Sequence, residues 1–461
     1  MSDRIHFERL VNERFAREHD VRPPDGSVDE ILILADRTRP LPRWLAVIRE
    51  PSMRYSSTLA VGSPTARLVA ILAATLLLIV LIAAAGAGAA RLLAADEPLI
   101  VDPAGEGTHT TIASAVADAE DGGTILVRPG TYGEVVLIDR DITLAGDGPR
   151  EDIIISAPEG APTVDFGTGV QRFEPTYAVL IDDTQAEVRG LTFAGAETAV
   201  VIDCGSPTLR DLAFEQNDFG LLIKSGSTAS VTQNLLTGSG QGIELADQSE
   251  PRIEGNVLRG GPSIVGSMGD GGVVRGNVLT DTRNGIHLSG PGNDEPASAL
   301  IEGNSITGAD GYAISTFSIS SVAGAPVIRD NTITASRNGI QVGAGTGDAM
   351  TAQDGSDVAG GQPLVSGNTI STELIAISAT WTDATLIDNT IHESFSGIVL
   401  FGGGSAEVLD NKVEVEGVAI DVGANTSPDI DGNTACGGIA SIKVHDSASP
   451  TMGENTTCNA D

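Results

Sequence analysis

Two carboxylates, an amine and an imidazole, Asp203, Glu244, Lys224 and His287, are this chain's candidates for acid–base work. Each can hold or pass a proton near neutral pH once its surroundings shift its pKa. They are separated by steps of about 20 residues or twice that. Only a fold that returns the chain to the same place at that interval brings them together. An ion pair between Asp203 and Lys224 on successive turns is the structural alternative to a catalytic role. A second group, Asp348, Asp354 and Asp357, lies in the insertion from Gly343 to Gln362 and supplies the calcium candidates. Its spacing matches no EF-hand, so a solvated loop is the expectation and no cofactor is required. Cys204 follows the strand-like Ala-Val-Val-Ile-Asp with no histidine placed beside it, and reads as a turn residue rather than a nucleophile.

The element that positions these residues is a repeat. Asparagine returns at 234, 256, 277, 304, 331, 368, 389, 411 and 433. Most are followed by a short apolar run and then a Gly-Ile-x-Leu/Val unit, as in Gly242-Ile-Glu-Leu, Gly285-Ile-His-Leu and Gly397-Ile-Val-Leu. Most steps are roughly 22 residues, a solenoid period. Each copy holds three runs of alternating apolar residues separated by Gly, Asn, Asp and Ser, which makes them strands. One triangular turn cannot bury its inward Ile, so it stacks on copies of itself. About a dozen turns at ~4.8 Å each predict a rod on the order of 60 Å long. An inward asparagine is costly unless bonded. Stacked at one corner, each Asn can bond the bend and the amide of the next, forming a ladder. Earlier turns carry Leu191 and Leu212 at that place, so the ladder starts after them.

Residues 99–458 resemble the right-handed parallel β-helix superfamily, which includes pectin-lyase-like enzymes and periplasmic carbohydrate-binding and sugar-hydrolase proteins. The resemblance is reinforced by Thr110-Thr-Ile-Ala-Ser-Ala-Val-Ala-Asp-Ala, followed by Asp121-Gly-Gly-Thr-Ile-Leu-Val-Arg-Pro-Gly-Thr-Tyr and Asp141-Ile-Thr-Leu-Ala-Gly. It implies an all-β coil with a short helix closing its open end. Ile112, Val116 and Ala119 agree, since they would share one side of a helix.

In that superfamily, carbohydrate chemistry uses carboxylates, Arg or Lys on one outward face. Asp182-Asp183 and Ser441-Ile442-Lys443 are superficially similar to the polygalacturonase set, but some nine turns, about 40 Å, would separate them. Aligning the repeat predicts an outward row of Leu222, Glu244, Val265, His287, Ala313, Gln341, Ala376, Val399, Asp421 and Lys443. This row is mixed, as a surface would be. Ser305, Thr332, Thr369 and Thr390 form a hydroxyl row, and Trp381 and Phe401 are among the few aromatic platforms for a sugar.

Leu68 to Ala90 is an uncharged run of 23 residues, about 34 Å as a helix, between Arg67 and Arg91. The cations before it place the N-terminus in the cytoplasm. The expected organisation is a cytoplasmic segment 1–67, a transmembrane helix 68–90, a linker 91–98 and an extracytoplasmic coil 99–461. The cytoplasmic partner is undetermined. Almost all of the net charge of −35 falls on the coil, which disfavours nucleic acid. Of three cysteines, Cys436 and Cys458 sit near the end, where one disulfide would pin the final turn and leave Cys204 unpaired. The resulting expectation is a single-pass membrane protein displaying a surface binding or interaction module, with glycans or other cell-surface polymers as partners. A polysaccharide lyase or glycoside hydrolase, and a purely structural rod, are the alternatives.

Overall fold

The computed structural model describes residues 97–163, 176–238, 240–269, 271–289, 298–318, 325–344 and 362–458. Asp348, Asp354, Asp357, the expected cytoplasmic segment and the expected span 68–90 lie outside them. Among the described residues no helix is long and apolar enough to cross a membrane. From Ala95 onward the chain forms one compact unit.

That unit is a parallel β-helix of three sheets with 15, 14 and 13 strands. One turn shows the plan: Thr208–Arg210 lies on the first face, Ala213–Glu215 on the second and Phe219–Lys224 on the third. Each strand pairs in parallel with its counterpart one turn on. This is about 14 turns, two more than the clear repeats suggest, because the first turns lack the Asn that marks the others. Side chains alternate, so every turn sends its middle residues inward. Ile301, Ile328, Val365, Leu386, Val408 and Ile430 stack in register on the first face, all 0 % exposed. In the asparagine-free turns the filler is larger, and Phe193 and Phe214 stack with centroids 5.3 Å apart.

The bend from first to second face has two residues. The first adopts a left-handed backbone, as at Gln233 (φ 57), Asp330 (φ 57) and Asp388 (φ 57), or is a glycine such as Gly303 (φ 63). That geometry turns the chain sharply and aims the next residue inward, where Asn stands. The Oδ1 of Asn256 accepts from the backbone N and Nδ2 of Asn234 at 2.9 and 3.0 Å, while Asn234 Nδ2 also donates to Leu209 O. The pattern repeats down to Asn455, one rung beyond the nine expected. Leu212 closes the top by donating its N–H to Asn234 Oδ1. A buried amide that satisfies itself along the stack avoids the cost of an orphaned polar group.

The entry end is covered by the helix Ile112–Asp118, which buries Ile112, Ala115 and Val116. The Thr111 side chain caps it, and the carboxylate of Glu134 accepts from the N–H groups of Ile112 (2.8 Å) and Ala113 (2.9 Å). The helix hides strand edges that would otherwise pair with another chain.

At the far end Cys436 and Cys458 are disulfide-bonded with Cα atoms 4.9 Å apart, and Cys204 is free. Replacing both bonded cysteines by serine is expected to lower the local stability of the last turn by about 2 kcal/mol or more. Hydrogen exchange would show faster amides around 451–457 and unchanged protection near Ile301; equal loss everywhere would contradict a local role.

Candidate functional site

The third face carries the longest strands, and its outward residues fall into strict columns. The main column reads Leu180, Val201, Leu222, Glu244, Val265, His287, Ser315, Gln341, Ser378, Val399, Asp421 and Lys443. Eight of the ten expected members hold their places. Ala313 and Ala376 do not: both are core residues at 0 % exposure, and the column positions are held instead by Ser315 and Ser378, themselves largely buried at 2 % and 8 % exposure. The cause is a substitution in the repeat. Ala313 and Ala376 occupy the position that glycine fills in neighbouring turns, Gly339 and Gly397, so without that marker the outward residue is placed two positions early. Asp182 and Lys443 are eleven strands apart on this face, rather than some nine, which places them about 50 Å from each other. They form no site.

The first half of the column is apolar. Val201, Leu222 and Ala246 form a small cluster separate from the coil's interior, joined by Tyr177, Leu180 and Phe219. Glu244 borders this cluster, being opposite Leu222 in register. Its Oε2 is buried with no hydrogen-bond partner. Burial pushes its pKa up to about 7. One column over, Lys224 Nζ lies 3.0 Å from Asp203 Oδ2, the cross-turn pair that the spacing suggested. Burial pushes the Asp203 carboxyl up, but hydrogen bonds from Ser225 and Lys224 and the lysine's charge outweigh it, and the net shift is downward. Asp203 is about two turns, ~10 Å, from Glu244 along the axis. At this partly buried surface position the pair itself adds little stability.

The second half of the column is polar. His287 is exposed, and partial burial of its ring lowers its pKa. Ser315 donates to Gln341 Oε1 at 3.2 Å. Tyr312 hydrogen-bonds Ser378, and burial raises its phenol pKa. These residues come from three consecutive turns plus one. The connections that leave this face there are the long ones, 290–299, 319–326 and 345–363, against five residues after Lys224. Sequence reading missed Ser315, Ser378 and Tyr312; the alanines standing for glycine were the signal that could have found them. The hydroxyl row Ser305, Thr332, Thr369 and Thr390 is in register on the second face as expected. Trp381 packs over Gly402 and Gly403, and Phe401 beside it is 59 % exposed.

Residues 167–324 match the family model described as periplasmic copper-binding protein (NosD), and residues 323–460 match the one described as right handed beta helix region. The chain is a right-handed parallel β-helix protein. Similar solved structures include the catalytic domain of a family 87 α-1,3-glucanase in complex with nigerose (13% identity, 78% of this chain and 68% of that one, TM-score 0.44). The mannuronan C-5 epimerase A-module of Azotobacter vinelandii (15%, 76% and 95%, 0.37) and the pectin methylesterase of Erwinia chrysanthemi (13%, 58% and 98%, 0.30) are others. No curated protein sequence matches the chain. Copper calls for converging His, Cys or Met donors. Among the described residues no three His, Cys, Asp or Glu side chains converge, so those donors do not assemble a site for that ion there.

Proposed function

We propose that this chain is a membrane-anchored, extracytoplasmic binding module whose recognition strip is the polar half of the third-face column. The observation that carries this reading is that Tyr312 and Gln341, partly exposed, and the largely buried Ser315 and Ser378 lie on strands that follow or precede three connections lengthened in sequence. Lengthened connections on a rigid scaffold are where binding residues concentrate. The imidazole of His287, the phenol of Tyr312 and the amide of Gln341, on three successive turns ~4.8 Å apart, offer donors and acceptors to a hydroxylated polymer laid along the axis. A glycan has that chemistry, and the coil's negative charge selects neutral or cationic chains over anionic ones. The periplasmic description of the matching family supports an extracytoplasmic coil, and the apolar run 68–90 supports the anchor. A glycan array probed with the full chain is the test. Binding to an uncharged polysaccharide that weakens about tenfold in Gln341→Ala and Tyr312→Phe is expected, and binding that ignores both changes contradicts the strip.

A second reading has its own observation. Glu244 and Asp203 have pKa values displaced in opposite directions, the arrangement in which one carboxyl acts as acid and the other as base. Their separation, about 10 Å along the axis before the offset between their columns is added, exceeds the roughly 6.5–9.5 Å of inverting hydrolases, so this reading needs the two side chains to lean toward each other. Release of reducing ends from a polysaccharide, abolished in both Glu244→Gln and Asp203→Asn, would replace the binding module with this enzyme.

A further inference from the structure

Exposed apolar side chains are not spread evenly over the rod. Of eight large hydrophobic residues exposed among the described residues, six lie beyond residue 370, in the last turns. Three of them fall in one line at the bend from second to third face. Leu374, Phe395 and Ile439 are 40 %, 50 % and 70 % exposed. Gly417 holds the place between the last two: its N–H bonds Phe395 O at 2.8 Å and its carbonyl receives the N–H of Ile439 at 2.9 Å. The position is glycine because a Cβ would run into the carbonyl oxygen of Phe395. The line is therefore a ridge with a notch, about 14 Å long over three steps of ~4.8 Å. That length and spacing suit two to three turns of an α-helix lying along the axis, whose pitch is about 5.4 Å. A side chain of such a helix would seat in the notch between Phe395 and Ile439.

Charge decides what kind of helix. Glu373, Glu393 and Glu416 are exposed beside the ridge, and residues 362–458 carry thirteen carboxylates against Lys412 and Lys443. A second copy would bring the same acidic flank against it, and an anionic lipid surface or a nucleic acid would be repelled likewise. We infer that the ridge Leu374–Phe395–Ile439 is a docking site for an amphipathic helix of a partner protein, with an apolar stripe against the ridge and Lys or Arg facing the glutamates.

The probe is a fluorescent 18-residue Leu/Lys amphipathic helix peptide, with its Leu/Glu counterpart as control. Each is titrated against the full chain in phosphatidylcholine nanodiscs with empty discs as blank. The inference predicts saturable binding of the Leu/Lys peptide that weakens with salt. It also predicts at least a tenfold loss in Leu374→Ser/Phe395→Ser/Ile439→Ser, which changes only exposed side chains and keeps the β circular dichroism spectrum. Glu373→Gln/Glu393→Gln/Glu416→Gln should weaken binding and flatten the salt dependence while leaving the ridge intact. Unchanged affinity in the serine variant, equal binding of the Leu/Glu peptide, or a dimer of the full chain that the serine variant abolishes would each overturn it.

Discussion

Asn331→Leu, in the middle of the ladder, is expected to destabilise the coil by about 3 kcal/mol or more, although leucine fills the same corner at positions 191 and 212. Asn331 Nδ2 donates to Ile301 O, Arg329 O and Asn368 Oδ1, and its Oδ1 accepts from both the N–H and Nδ2 of Asn304. Leucine conserves volume and avoids a cavity, so the loss is polar. The Asn304 N–H is left buried without its acceptor, at roughly 1–3 kcal/mol, and the Asn304 Nδ2, the Asn368 Oδ1 and the Ile301 carbonyl each lose one of their bonds, at roughly 1 kcal/mol each. The same change at Asn234 should cost less, since above it only the Leu212 N–H loses its acceptor. Urea unfolding of the three proteins at one pH checks the order; equal midpoints for Asn234→Leu and Asn331→Leu would deny that the ladder is a connected network. The native leucines are tolerated because their turns were built without the rung.

Glu244→Gln is expected to stabilise the protein in alkaline but not acidic solution. The group's pKa is raised from 4.5 to about 7 in the fold, so the folded state holds the proton more tightly than the unfolded chain does. Stability is therefore unaffected below pH ~4.5, falls as pH rises from there through 7, and levels off above it. A shift of that size corresponds to at most about 3 kcal/mol. Glutamine mimics the protonated carboxyl and removes the dependence. Denaturation midpoints at pH 4 should coincide for wild type and variant and diverge at pH 8, with the variant higher. A difference that does not change with pH would mean that Glu244 is solvated like any surface carboxylate.

The period, the three strands per turn, the asparagine corner, the entry helix and the pairing of Cys436 with Cys458 are legible in the sequence because each is a local demand repeated in line. Asp203 meeting Lys224 was legible too, since one period separates them. What escaped depends on neighbours from other turns. The proton affinity of Glu244 follows from burial against the apolar cluster of the preceding turns, with Leu222 opposite it, which no pattern around Glu244 announces. Ser315 and Ser378 were hidden because alanine replaced the glycine that marks the bend before the strand, so the count began two residues early. Asn217 was missed for a different reason. It sits at the bend from second to third face, where its Oδ1 accepts from Ala196 N and its Nδ2 donates to Phe193 O, with no copies in other turns to mark it. The ridge at Leu374, Phe395 and Ile439 has unequal spacing in sequence because glycine, at 417, takes the third of its four places.

Everything proposed for the third face depends on which side chains of successive tiers share a column, and engineered cysteine pairs read that out. Gln341 is paired in register with Ser378, a separation within disulfide reach, whereas Ala376 belongs to the interior. Oxidation of Gln341→Cys/Ser378→Cys in the Cys204→Ser background should give a rapid crosslink, seen by mass spectrometry as a linked peptide pair, while Gln341→Cys/Ala376→Cys should stay reduced. The opposite outcome would place Ala376 outward, dissolve the polar strip and remove the basis for the binding site.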